Sequence, residues 1–181
     1  EEEGHAAIAH VIRQHAAAPS ATAAAPRLTL NTEIAKAAYR GELQPVVEWL
    51  KQGGHGDTLD KDGGGLLHWA AAGGQLRVAK ELLQRGASVN LRDATGATAL
   101  VMAALMGEHA MVRLLLEHKA GIDLQNNGGE TALMLATGEG YLECVQELLK
   151  SGASTELYDV DGRTALEVAK SKGHAAIANL L

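Results

Sequence analysis

The chain carries one thiol, Cys144, scattered histidines, a triple glycine and close carboxylate pairs, the side chains from which many active sites are built. A nucleophilic cysteine needs a positive, partly exposed setting and a histidine to take its proton. Cys144 instead shares its slot with Val78, Met111 and Ile177, so it is expected in an apolar layer, buried and slow to react. His5, His10 and His15 are spaced by five. On a helix that spacing turns each about 140° from the last, so they share no face. Metal pairs on one helix want spacings of about three or four. Gly63, Gly64 and Gly65 have the flavour of a phosphate loop, but no Lys-Ser or Lys-Thr follows, and a tight turn accounts for them. Asp60 with Asp62, and Asp159 with Asp161, fall in polar turns with no sign of burial, so nothing predicts a shifted pKa. No catalytic constellation, metal site or cofactor site emerges, and the chain is read as noncatalytic.

The elements that would have to position such groups are set by a repeat. Gly41, Gly74, Gly107, Gly140 and Gly173 recur every 33 residues, as do Leu50, Leu83, Leu116 and Leu149. An unbroken period of this length means a stack of like supersecondary units with no single central core. Residues 94–126 serve as the pattern. Thr98 reads as the N-cap of a short helix through ALVMAAL, which Gly107 ends. A second helix follows through HAMVRLLLEHK, apolar at Met111, Val112, Leu114, Leu115 and Leu116 and wet at Arg113 and Glu117. Asn- and Gly-rich residues then make a projecting turn. Each helix is too short to persist alone, so its order depends on its neighbours.

The phrase G-x-T-A-L-x-x-A-x-x-x-G, then a helix, then L-L-x-x-G-A, resembles the ankyrin repeat over residues 32–181. The family's T-P-L-H is altered here. Ala99, Ala132 and Ala165 stand where the proline belongs, with Leu66 in the second unit, and the histidine survives only as His68, with Val101, Met134 and Glu167 at its equivalents. His68 is therefore expected to be a hydrogen-bonding helix residue. The expected fold is all-α: an ankyrin-repeat solenoid of helix-turn-helix units at about 32–60, 61–93, 94–126, 127–159 and 160–181, with hairpin-like turns near 60, 93, 126 and 159.

The resemblance implies a concave groove lined by turn tips and by the ends of the first helices. By position the tips are Lys61, Asp62, Arg92, Thr95, Gln125, Asn127, Glu130, Tyr158, Val160 and Arg163. The helix ends contribute Leu105, Met106 and Glu139, and the first two are expected to be exposed apolar contacts. Trp69, matching Met102 and Leu135, is expected in the core. The implied function is a protein-interaction module that binds a protein or extended peptide in this groove. The alternative is a regulatory or substrate-docking segment of a larger enzyme or channel. The sequence GASVN also resembles the turn that asparaginyl hydroxylases modify in ankyrin proteins, which marks Asn90 for hydroxylation.

Composition narrows the partners. The net charge is −6 with no run of Lys or Arg, so nothing draws the chain to nucleic acid or to an acidic membrane. No apolar run approaches the roughly 20 residues of a membrane span. A single cysteine points to a reducing, intracellular compartment, cytoplasmic or nuclear. Residues 1–18 read as the outer helix of a truncated upstream unit, because GHAAIAHVI nearly copies GHAAIANLL at 173–181; a free N-terminal helix is the other reading. Residues 19–31 form an Ala/Pro-rich linker, and the apolar stop at Leu181 suggests a longer parent chain.

Overall fold

A computed structural model describes residues 30–61 and 63–181, so the expectations for 1–18 and for most of 19–31 lie outside the described residues, as does Asp62. Among the described residues ten helices follow in five pairs: α1 (Thr32–Arg40) and α2 (Leu43–Lys51), α3 (Leu66–Ala72) and α4 (Leu76–Gln84), α5 (Ala99–Leu105) and α6 (His109–Glu117), α7 (Ala132–Glu139) and α8 (Leu142–Lys150), α9 (Ala165–Lys172) and α10 (Ala175–Ala178). Within each pair the chain reverses at Gly41, Gly74, Gly107, Gly140 or Gly173, all with positive φ, a conformation that is easy only without a Cβ. The first helices stack directly on one another, α1 on α3 through to α9 on α7, and the second helices form a looser outer layer.

The helix starts follow from local chemistry. The hydroxyls of Thr98, Thr131 and Thr164 accept from the backbone N–H three residues on, at 3.4, 3.3 and 3.3 Å. Each thereby satisfies an amide that the first turn would otherwise leave orphaned. Asn31 does the same for α1 at 2.9 Å, and Leu30 beside it is buried. Among the described residues the only extended pairing is one isolated bridge between Leu59 and Gly65.

The core repeats with the sequence. Ala37, Ala70, Ala103, Ala136 and Ala169 are buried one above the next in the first-helix layer, where a small side chain lets backbones approach closely. Leu82, Leu115 and Leu148 fill the space beneath the outer helices, and Val46, Ala79, Val112 and Val145 do likewise one turn earlier. Two positions break the pattern at some expense. Lys119 takes φ 65 where Gly53, Gly86 and Gly152 stand in other units, a strain of about 1 kcal/mol for a residue with a Cβ. Thr137 occupies the place of Ala38, Ala71 and Ala104, and its fully buried hydroxyl has no hydrogen-bond partner among the described residues. Thr137→Val keeps the volume and removes the stranded hydroxyl, so it should raise stability by about 1 kcal/mol in urea unfolding. A loss of stability would mean the hydroxyl has a partner after all.

Candidate functional site

The concave face is built from the turns upward. Asp60, Asp93, Asn126 and Asp159 recur at the period, and each folds its own turn. Asp93 Oδ1 accepts from the backbone N–H of Thr95 and Ala97 at 2.8 and 2.9 Å, and Asn126 Oδ1 from Gly128 and Glu130, both at 2.9 Å. A short polar side chain capping its own backbone is how Asp and Asn stabilise tight turns. The turn is closed by backbone bonds such as Asp93 N to Ala97 O at 2.9 Å.

Asp159 corrects the expectation of exposed, unperturbed carboxylates. It is buried, and burial pushes its pKa up, but the backbone N–H and guanidinium of Arg163 and the N–H of Asp161 outweigh burial and hold the carboxyl below its usual range. Arg163 Nε reaches Asp159 Oδ2 at 2.8 Å. Glu167 is lowered too, by the backbone N–H and then the hydroxyl of Thr164. A carboxylate with a lowered folded pKa stabilises the fold above its unfolded pKa, and that contribution fades as pH falls through the folded value. The urea midpoint should therefore drop below about pH 4. Asp159→Asn should flatten the drop, since Asn126 shows that an amide closes this turn. An unchanged acid slope would count against the arrangement.

The tips are stitched to one another. Arg92 Nη1 donates to Gln125 O at 2.6 Å, and Gln125 Nε2 donates to Tyr158 O at 2.8 Å. Asn127 donates through its backbone N–H to Thr95 O at 2.8 Å and through Nδ2 to Ala94 O at 3.3 Å. Thr95 bonds Asp93, and Glu130 accepts from Asn126 Nδ2. The polar tips named from the sequence thus largely serve the stack itself. Lys61 is exposed on its turn. Asn90 is also engaged: its Oδ1 accepts from Gly121 N–H at 2.7 Å, as Asp57 does from Ser88 and Asp123 from Ser154.

Several apolar side chains face solvent in the groove, among the exposed polar ones of Lys61, Arg92, Thr95, Asn127, Glu139 and Arg163. Tyr158 and Val160 are 58% and 74% exposed, and Met106 is 45% exposed beside a charged Glu139. Leu105 is only partly exposed, because α5 is held between α3 and α7 and part of the side chain is covered. Trp69 packs against the core as Met102 and Leu135 do, in line with the expectation, and like them and Val168 at the same register it stays partly exposed. Its indole N–H explains this, since it reaches out to Asp60 Oδ2 at 2.8 Å. With Tyr39, Thr32, Ala35 and Lys36 these two residues enclose a cavity of about 250 Å³. The sequence carried a signal for it, an indole needing an acceptor, that the positional match to Met102 concealed. A larger depression, about 770 Å³, is an open trough on the outer-helix side crossed by the Arg113–Glu147 pair.

The other candidate chemistry resolves into structure. Cys144 is fully buried, and burial, then the charges of Glu143 and Glu108, push its thiol up to about 11, far from a reactive thiolate. His68 is buried with Nδ1 accepting from Gly65 N–H at 3.2 Å and Nε2 between Leu91 O and Ala97 O at 3.0 and 3.1 Å. An amide can only donate and carbonyls only accept, so the proton sits on Nε2. Within the triple glycine, the Gly64 and Gly65 amides are committed to Asp60 and His68. No cluster that could hold a metal occurs among the described residues, and His5, His10 and His15 lie outside them.

Comparison with known proteins agrees with this geometry. A family profile described as three copies of the ankyrin repeat matches residues 34–127 and 118–181. The curated proteins hold no match to the chain. The capping threonines, the left-handed glycines, the projecting turns and the matched profile together place the chain in the ankyrin repeat family.

Proposed function

We propose that this array binds a protein partner as an extended segment laid along its concave face. Ankyrin repeats are protein-interaction modules, and no helix among the described residues is long and apolar enough to cross a membrane. The observation that carries the groove is the distribution of exposed apolar groups. Of the exposed large apolar side chains, Tyr39, Leu59, Met106, Tyr158 and Val160 sit on turn tips or first-helix ends, above the partly exposed row Trp69, Met102, Leu135 and Val168, whereas Tyr141 and Leu180 lie at outer-helix ends. Apolar surface gathered on one face gains most from being covered. The stitched turns hold that face rigid, which lowers the entropy lost on binding. Hydroxylation at Asn90 belongs to the same proposal as a modification of the edge of the stack, away from the groove row.

Met106→Ser tests the site with least disturbance to the fold, because Leu105 is partly covered and Met106 is not. Together with Tyr158→Ala it should weaken a cognate partner by about 2 kcal/mol or more, the scale of buried anchors. Arg113→Ala with Glu117→Ala, on the outer helix, should change affinity little. Binding that survives the groove changes but fails with the outer-helix changes would move the interface to the convex side. A larger parent enzyme or channel that uses the array for docking would give the same affinities but tie them to its activity.

A further inference from the structure

We infer that Asn127 is a site of slow self-modification, where the side-chain amide is lost to give aspartate or isoaspartate. Among Asn31, Asn90, Asn126, Asn127 and Asn179, only Asn127 precedes a glycine. The others precede Thr32, Leu91, Asn127 and Leu180, whose side chains shield the following backbone nitrogen. Asn127 is exposed on its turn tip, and Gly128 has no Cβ to block approach to its own nitrogen. In the reaction that nitrogen gives up its proton and attacks Asn127 Cγ. An N–Cγ bond forms, the Cγ–Nδ2 bond breaks, and ammonia leaves a cyclic imide. Water then opens the imide at either carbonyl, so the chain continues through the α-carbon as aspartate or through the side chain as isoaspartate. The turn slows this chemistry without preventing it. Asn126 Oδ1 accepts from Gly128 N–H at 2.9 Å, which keeps the proton on the nucleophile. That acceptor is a neutral amide, whereas Asp93 and Asp159 hold the same place in neighbouring turns with a stronger carboxylate. The Asn127 amide itself is tied by a long bond, Nδ2 to Ala94 O at 3.3 Å. Its backbone carries more. Asn127 N–H bonds Thr95 O at 2.8 Å on one side, and Gly128 O accepts from Val160 N–H at 3.0 Å on the other. Isoaspartate inserts a methylene between these two atoms, so both bonds cannot keep their register. Aspartate adds only a charge, since Ala94 and Val160 stand at the equivalent tips with no side-chain amide.

The test incubates the full 181-residue chain at mildly alkaline pH beside the free peptide Gln-Asn-Asn-Gly-Gly-Glu, the sequence of residues 125–130. Digests are read by mass spectrometry against synthetic aspartate and isoaspartate standards. Asn127 should convert before every other asparagine, and about tenfold more slowly than in the peptide, because the closed turn must open first. Gly128→Ala should nearly stop the reaction. Its φ is not left-handed, and a Cβ there meets only side-chain atoms, the nearest Asn126 Oδ1 at 3.2 Å, so the turn admits it. Asn126→Ala should hasten conversion about fivefold by freeing the nucleophile, with circular dichroism confirming intact helices. Asn126→Asp with Glu130→Arg copies the Asp159–Arg163 turn and should slow it. In urea unfolding the aged chain should lose more stability than Asn127→Asp, which lacks the extra methylene. An Asn127 amide that outlasts those of the other asparagines, or a rate that Gly128→Ala leaves unchanged, overturns the inference. Conversion as fast in the folded chain as in the peptide would refute the brake assigned to Asn126.

Discussion

His68→Ala should destabilise the array by about 3 kcal/mol in urea unfolding followed by circular dichroism. The imidazole ties α3 to the backbone of the following turn, accepting from Gly65 N–H and donating toward Leu91 O and Ala97 O. Its removal strands the Gly65 amide and Leu91 O, while Ala97 O keeps its bond from Asp93 N–H, and each such loss costs about 1 kcal/mol or more. The void left by the ring adds to this. Val101 and Met134 at the equivalent positions do without the bonds, so the sequence context of the second unit decides the effect. His68→Gln, which can still donate toward the same carbonyls, should recover part of the loss. Unchanged stability in His68→Ala would mean that solvent replaces these bonds at little expense.

Gly73→Ala should cost about 3 kcal/mol, the upper end of overpacking, and loosen the first unit from the second. A Cβ at Gly73 would run into the backbone carbonyl oxygen of Tyr39, which cannot turn aside as a side chain could. The equivalent residues Arg40, Met106 and Glu139 carry long side chains, so the collision is particular to the contact of α1 with α3. Trp49 and Trp69 lie in the two units involved, and their fluorescence reports the separation directly. The second-unit signal should then precede the loss of helix in the remaining units. Coincident transitions with no drop in midpoint would show that α1 shifts to admit the methyl group.

The regularities of the fold were legible in the sequence because the period states which residue lies above which. The capping threonines, the five helix pairs and the turns near 60, 93, 126 and 159 all follow from it. What it does not state is how far a side chain reaches. Arg92 and Gln125 have the right spacing, yet only their extended side chains and the placement of the carbonyls make them struts between tips. Trp69 matched Met102 by position, and its indole nitrogen, a group Met lacks, turned it toward Asp60. Asp159 read as exposed because a turn is usually wet, whereas Arg163 folds over its carboxylate and covers it. The groove row is likewise readable only in part. Met106 is open to solvent while its neighbour Leu105 is half covered, a difference set by helix rotation that sequence spacing does not fix.

The stitches between units have a consequence for ancestry. Five of them join residues 31 or 33 apart: Asp57 to Ser88, Asn90 to Gly121 and Asp123 to Ser154 along one edge, Arg92 to Gln125 and Gln125 to Tyr158 along the other. Each bond spans a single interface and uses the same register in both units. Duplication or excision of a 33-residue segment therefore rejoins matching donors and acceptors wherever the break falls, whereas a 32- or 34-residue change leaves every partner one place out of step. Recombination in whole units can lengthen or shorten such a gene while keeping the register of these bonds, whereas a contact particular to one interface, such as Gly73 against Tyr39 O, has to be kept or refitted.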